Sequence, residues 1–476
     1  MVFSSITFLL YFLPIALLGY FVLSFSRALQ NTWLLLVSLL FYAWGEPVYV
    51  LVMIASIVFN YLCGLVVGRH PSKVALVVAC IGNLGNLAFF KYSGWIVETI
   101  NVILGSELIP VPKISLPIGI SFYTFQALSY VIDVYKGKAK AQKNLLNLGL
   151  YIAFFPQLVA GPIVRYTTVA KQIKNRKTTF SDFSQGCCRF AEGLVKKIVL
   201  ANNFAIVADH IFELNSFGND RVAVPVMLAW VGALAYTLQL YYDFSSYSDM
   251  AIGLGKMFGF NFPENFRHPF MACSIREFMS KWHMSLTGWF TNYVYKPLGG
   301  SQDKDKDKMV RNLFIVWFLT GLWHGAAWTF IWWGLYMFLW ILFENVIEIE
   351  KVEGFVVLRH VYVVLAVVLS MVIFRSDSGA QLSLYFRDLV GLAHNGFYSP
   401  MALMFLKEYW LVFAFGILLL FPVRDRILDA IDEKRCPKAV GVGYQVMYNI
   451  YMPVLLVFCL AVLAKGGYNP FIYFNF

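Results

Sequence analysis

RNLFIVWFLTGLWHGAAWTFIWWGLYMFLWILFE, residues 311–344, holds 32 consecutive positions between Arg311 and Glu344 without a Lys, Arg, Asp or Glu. A run of this length and apolarity belongs in lipid. Helical throughout, it would reach ~48 Å against a hydrocarbon core of about 30 Å, so it must tilt, kink or divide. His324 sits near its middle, bracketed by Gly321 and Gly325 at small-xxx-small spacing, which favours a helix break or a close backbone approach there. An ionisable group at lipid depth is expensive and usually lines a polar cavity. Imidazole also suits proton abstraction near neutral pH; the plainer role for His324 is a hydrogen bond between helices.

The rest of the chain has the same character. Of 476 residues, 59% are hydrophobic and only 14% charged, too apolar for a hydrated globular surface. Further apolar blocks occupy residues 6–25, 33–45, 47–67, 73–90, 116–132, 144–164, 223–242, 244–260, 355–374, 409–423 and 445–463. Lipid cannot satisfy open backbone groups and the blocks do not alternate as barrel strands do, so an all-α polytopic membrane protein with about eleven crossings is expected. The block 144–164 is read as a re-entrant hairpin. Pro156 and Gly161-Pro162 break it, and a full crossing would set two basic loops on opposite sides of the membrane. From 180 to 212 an amphipathic pattern suggests a helix along the interface.

The net charge of +11 gathers in loops such as 136–143, 165–177 and 424–438, where lipid headgroups and topology account for it and nucleic acid is not implied. Seven cysteines without CxxC spacing give neither a disulfide framework nor a metal site. The first basic residue is Arg27, and the leading apolar block is too long for a signal peptide, so residues 1–25 read as a retained span.

On a continuous helix, Arg276, Ser280, His283 and Thr287 would share one stripe beside an apolar flank of Met279, Trp282, Leu286 and Trp289. His283 would then face a polar cavity, or merely solvent at an interfacial helix. Asp243 and Asp249 lie among serines between two apolar blocks, placed either to orient an imidazole or to cap a helix after a break. GxSxG, HExxH and Walker A motifs are absent from the sequence, and two histidines 41 residues apart make weak zinc ligands.

These residues, with SLPIGISFYTFQALSYVIDVY, FFPQLVAGPIVR, YYDFSSYSDMAIGLGKMFGF, FRHPF, SIREFMSKWHMSLTGWFTNYVYKPLGG and GLWHGAAWTFIWWGLY, resemble the membrane-bound O-acyltransferase family in its bacterial alginate O-acetyltransferase branch. The likeness extends from the opening MVFSSITFLLYFLP to the closing NPFIYFNF. It implies about eleven transmembrane helices plus re-entrant and interfacial helices enclosing a tunnel. As one membrane domain, the chain divides into N-terminal spans (1–164), interfacial helices (165–222), a catalytic core (223–346) and C-terminal spans (347–476). The resemblance also implies movement of an acetyl group from acetyl-CoA to a hydroxyl for O-acetylation of an exported polysaccharide. His324 matches the catalytic histidine, while His283 and Asp243 match further polar positions. Tyr473 falls in a terminal aromatic motif suited either to carrying the acyl group or to anchoring the chain at the interface. No bound cofactor or metal is implied. The implied setting is a bacterial inner membrane, with a periplasmic SGNH-type acetyltransferase or esterase and the polysaccharide export machinery as partners. D-alanyl transfer, peptidoglycan acetylation and non-catalytic transport of an acyl donor stand as alternatives.

Overall fold

The computed structural model describes residues 1–215, 224–300, 306–349, 354–432 and 438–470, and among these all regular structure is helical. Tyr473 and its aromatic motif lie outside them. Six helices are long and apolar enough to span a membrane by themselves, or seven when Pro400–Glu408 and Trp410–Leu418, bent by 67°, are taken as one. The expected eleven therefore exceeds what length and apolarity identify among the described residues. Several other helices are too short or too polar for that test, among them the largely buried Ile120–Tyr135 and Val226–Met257. The chain is a multi-pass membrane protein.

The helix Tyr49–Arg69 shows how an apolar helix is placed. Leu51, Ile54, Val58, Leu62 and Val66 recur every three or four residues and are exposed, while Met53, Ile57, Asn60 and Val67 are buried. The exposed stripe faces lipid and the other faces protein. Asn60 on this helix and Asn83 on the next, Lys73–Leu104, exchange amide hydrogen bonds of 2.9 and 2.8 Å. Paired amides hold helices together where water is absent.

The long run quoted first divides at the position of its histidine. One helix, Lys306–His324, ends at His324 and the next, Trp328–Ile347, begins after three intervening residues. The two form a tight hairpin: a Cβ on Gly321 would stand 2.5 Å from the Phe330 carbonyl oxygen. Any larger residue at 321 would push the two helices apart.

Three expectations need correction. Residues 223–242 and 244–260 are not two spans; Val226–Met257 is one 32-residue helix. Consequently Asp243 and Asp249 cap nothing, because helix continues through both. Each instead meets a cation from the antiparallel segment 180–214: Asp243 pairs with Lys197 at 2.6 Å, and Asp249 with Lys196 and Arg189 at 2.7 Å. Close approach is possible because Gly186 faces Gly253 and Gly193 faces Ser246. The helix that began at residue 73 does not end at 90 but runs on to Leu104, carrying Lys91 inside the protein.

Within residues 144–164 the helix breaks ahead of Pro156. A nine-residue helix, Leu145–Ala153, gives way to turns, and residues 148–164 are buried without exception. Irregular backbone at such depth needs partners from outside the segment. Ser38 accepts from Phe155 N–H at 3.0 Å, Ser285 accepts from Ile163 N–H at 3.0 Å, and Tyr247 and Tyr151 donate to the carbonyls of Leu158 and Val164 at 3.1 and 3.0 Å.

The two ends of the described chain meet. Asn469 donates to the Ser4 carbonyl at 3.0 Å and accepts from Asn202 at 3.2 Å, while Lys197 donates to the Pro470 carbonyl.

Candidate functional site

His283 does not lie on the continuous helix its spacing suggested. The helix Ile275–Lys281 stops at Trp282, His283 adopts left-handed angles (φ 45°, ψ 51°), and a second short helix, Met284–Phe290, follows. A non-glycine residue held there costs about 1–2 kcal/mol, so surrounding contacts must impose it. They come from the FRHPF loop, where Arg267 N–H donates to the Lys281 carbonyl at 3.0 Å and Met284 N–H to the Asn265 carbonyl at 2.9 Å. The proposed stripe is therefore broken, and the imidazole turns inward, 2% exposed.

Asn265 fixes the chemistry of that imidazole. Its Oδ1 accepts from Ser285 N–H at 3.3 Å and from Ser285 Oγ at 2.8 Å, and its Nδ2 donates to Ser248 Oγ at 3.0 Å. The amide orientation follows, because a backbone N–H can only donate. His283 Nδ1, 3.1 Å from the same Oδ1, must then carry the proton. Nε2 is left with a free lone pair, buried and without a hydrogen-bond partner among the described residues.

His324 is the last residue of its helix and is also buried. Its ring meets Trp323, Trp333 and Phe374 edge-on at centroid separations of 5.0, 5.0 and 5.2 Å. Trp323 stands beside both histidines, with its ring 6.0 Å from that of His283. Phe122 packs against His283 at 6.3 Å and against Trp323 at 5.4 Å, and Phe244 meets His283 at 4.6 Å. The helix break thus brings the two imidazoles into one aromatic cage, 41 residues apart in sequence.

A small polar cavity adjoins the cage. A cavity of about 10 Å³, roughly one water's worth, is bounded by His324, Trp323, Lys91, Ser121, Phe122 and Val159. Val159, on the irregular segment after Leu145–Ala153, holds a left-handed φ of 73° against Gly119, whose own φ is 74°. Other buried polar atoms among the described residues find no protein partner, including Trp323 Nε1, Trp333 Nε1, Thr329 Oγ1 and the Gln126 amide.

Of the residues singled out from the sequence, His324 and His283 come together, and Asp243 lies in the core beside Lys197, adjacent in sequence to the Phe244 that touches His283. Tyr473 falls outside the described residues. Lys91, Ser121 and Asn265 were missed. A single charge inside the apolar stretch FFKYSGW was the available signal for Lys91, and Asn265 had none, being 18 positions upstream of the ring it orients.

Comparison with known proteins places this cage in context. The sequence profile described as the membrane-bound O-acyltransferase family matches residues 138–349, which contain both histidines and Asp243. The chain is 38% identical to the probable alginate O-acetylase AlgI of Pseudomonas putida over 100% of both chains. It is 44% identical to the protein of that name in Pseudomonas syringae, over 79% of this chain and 73% of that one. With the peptidoglycan O-acetyltransferase of Helicobacter pylori it shares 35% identity, over 70% of this chain and 68% of the other. A relationship spanning the whole length, with the buried histidines inside the matched region, identifies an acyltransferase: the chain belongs to the membrane-bound O-acyltransferase family, in its alginate O-acetylase-like branch.

Proposed function

We propose that this membrane O-acetyltransferase takes its acetyl group from cytoplasmic acetyl-CoA and passes it across a bacterial inner membrane for O-acetylation of an exported polysaccharide such as alginate or cellulose. His324 is the general base. It takes the proton of the acceptor hydroxyl while that oxygen attacks the thioester carbonyl, and returns it to the departing thiolate. The observation that carries this reading is the position of His324, at a helix break and bordering a cavity whose walls also carry a lysine and a serine hydroxyl among apolar and aromatic residues. His283, with Nε2 unprotonated, offers a second acceptor that positions the hydroxyl or the donor. Asp243 acts through its 2.6 Å pair with Lys197, keeping the cation that grips the C-terminal segment in place.

Tyr473 is the acyl carrier in this scheme, since a phenol ester leaves readily on onward transfer. The segment 165–177, which forms the helix Tyr166–Asn175 rather than a loop, contacts the donor's phosphates through its exposed basic residues. A periplasmic SGNH-type enzyme and the export machinery receive the product. The names of the relatives, which include alginate and peptidoglycan acetylation, support an extracytoplasmic polymer as final acceptor.

Purified protein carrying His324→Ala should transfer acetyl roughly 10²- to 10⁴-fold more slowly than the parent at unchanged expression. Parent-like turnover would remove His324 as the base. Mass spectrometry of protein trapped during turnover should find a 42 Da adduct, about the mass of an acetyl group, on Tyr473 and none in a Tyr473→Phe chain; an active Tyr473→Phe enzyme would reject the carrier.

A further inference from the structure

Lys91 lies within the helix Lys73–Leu104 and is 8% exposed. Among the described residues no carboxylate pairs with it. Its Nζ donates to the carbonyls of Trp323 and His324, the latter at 3.1 Å, and lies 3.4 Å from Ser121 Oγ. Two of its three N–H bonds thus go to the free carbonyl end of the His324 helix, where a cation is favourable. The third points to Ser121 across a long contact, on the wall of the cavity that His324 also borders. A structural cap needs the first two contacts only. The weakly held third donor, on the wall of the cavity that His324 also borders, is what acyl transfer requires opposite its base.

We infer that Lys91 is a catalytic residue for acyl transfer, its ammonium receiving the negative charge that develops on the acyl carbonyl oxygen. The inference rests on the reading of His324 as base and deepens it. In the step, the acceptor oxygen bonds to the thioester carbonyl carbon, its proton passes to His324, and the carbonyl π pair moves onto oxygen beside Lys91 and Ser121. Collapse reforms the C=O bond and breaks the C–S bond. The thiolate leaves with the proton from His324, while Lys91 keeps its own protons throughout. A preformed cation in a water-poor site needs no reorganisation as charge appears, which is where such a donor has its largest effect. The cavity's volume of about 10 Å³ matches a single oxygen-sized group rather than a whole substrate.

The test uses full-length protein in detergent or liposomes with a short-chain acyl thioester as donor. Lys91→Gln keeps a neutral donor for the Trp323 and His324 carbonyls but removes the charge; Lys91→Arg keeps the charge. The Gln variant should fold, bind the donor with KM within about threefold of the parent, and lose roughly 10²- to 10³-fold in kcat. The Arg variant should recover at least tenfold of that loss. A Gln variant with parent-like kcat overturns the inference. So does one that fails to fold while the Arg variant folds, since the charge would then serve the structure. A loss confined to KM also overturns it, placing Lys91 in donor binding. Failure of the base reading would show separately, as full activity in His324→Ala whatever Lys91 does.

Discussion

Asn265 decides which nitrogen of His283 is available, and the consequence can be measured. Replacing it with Ala removes the acceptor for Nδ1–H and for Ser285, so the imidazole is free to turn or to change tautomer. Asn265→Ala should lower kcat about 10- to 100-fold with the protein still folded, the usual range for partners that orient a functional histidine; steady-state acetyl transfer is the check. Not all of this site was legible in the sequence. His324 could be found because a lone imidazole in 32 uncharged residues has no cheap explanation. His283 was found for the wrong reason: no Gly or Pro marks the break at Trp282, and contacts from a loop 15 or more residues upstream impose it. Lys91 was passed over because a charge next to an apolar block was read as the block's end.

The same misreading recurs among the elements. Asp243 looked like a boundary between two spans, yet it sits mid-helix because Lys197 from a neighbouring segment answers its charge. Charge marks an exit to water only where no partner waits inside, and partners distant in sequence are invisible to a local pattern. Glycine spacing read more reliably, since close approach is a property of the residue itself. Gly321 allows the helix ending at His324 to lie against the one that follows, and a methyl group there meets the Phe330 carbonyl. Gly321→Ala should therefore destabilise the protein by about 1–3 kcal/mol and displace His324. A lowered melting midpoint in detergent together with reduced turnover is the expected result.

At the scale of the whole molecule, apolar helices with exposed stripes pack against others that are shorter or more polar, and the site forms where helices break. Helix type and lipid exposure were readable from composition; the number of crossings was not, because the remaining helices are too short or too polar to announce themselves. The contacts of Asn469 with Ser4 and Asn202 join the first segment, the last segment and the core. Asn469→Ala should cost about 1–3 kcal/mol. Limited proteolysis should then cut the N-terminal segment faster than in the parent.

That junction also sets an order of events during biosynthesis. A ribosome supplies Ser4 long before Asn469, so every described helix is already made before the clasp can form. Until then the ammonium of Lys197 waits for the carbonyl of Pro470. A nascent chain stalled before Asn469 would carry both histidines and still lack the fastening between these two segments.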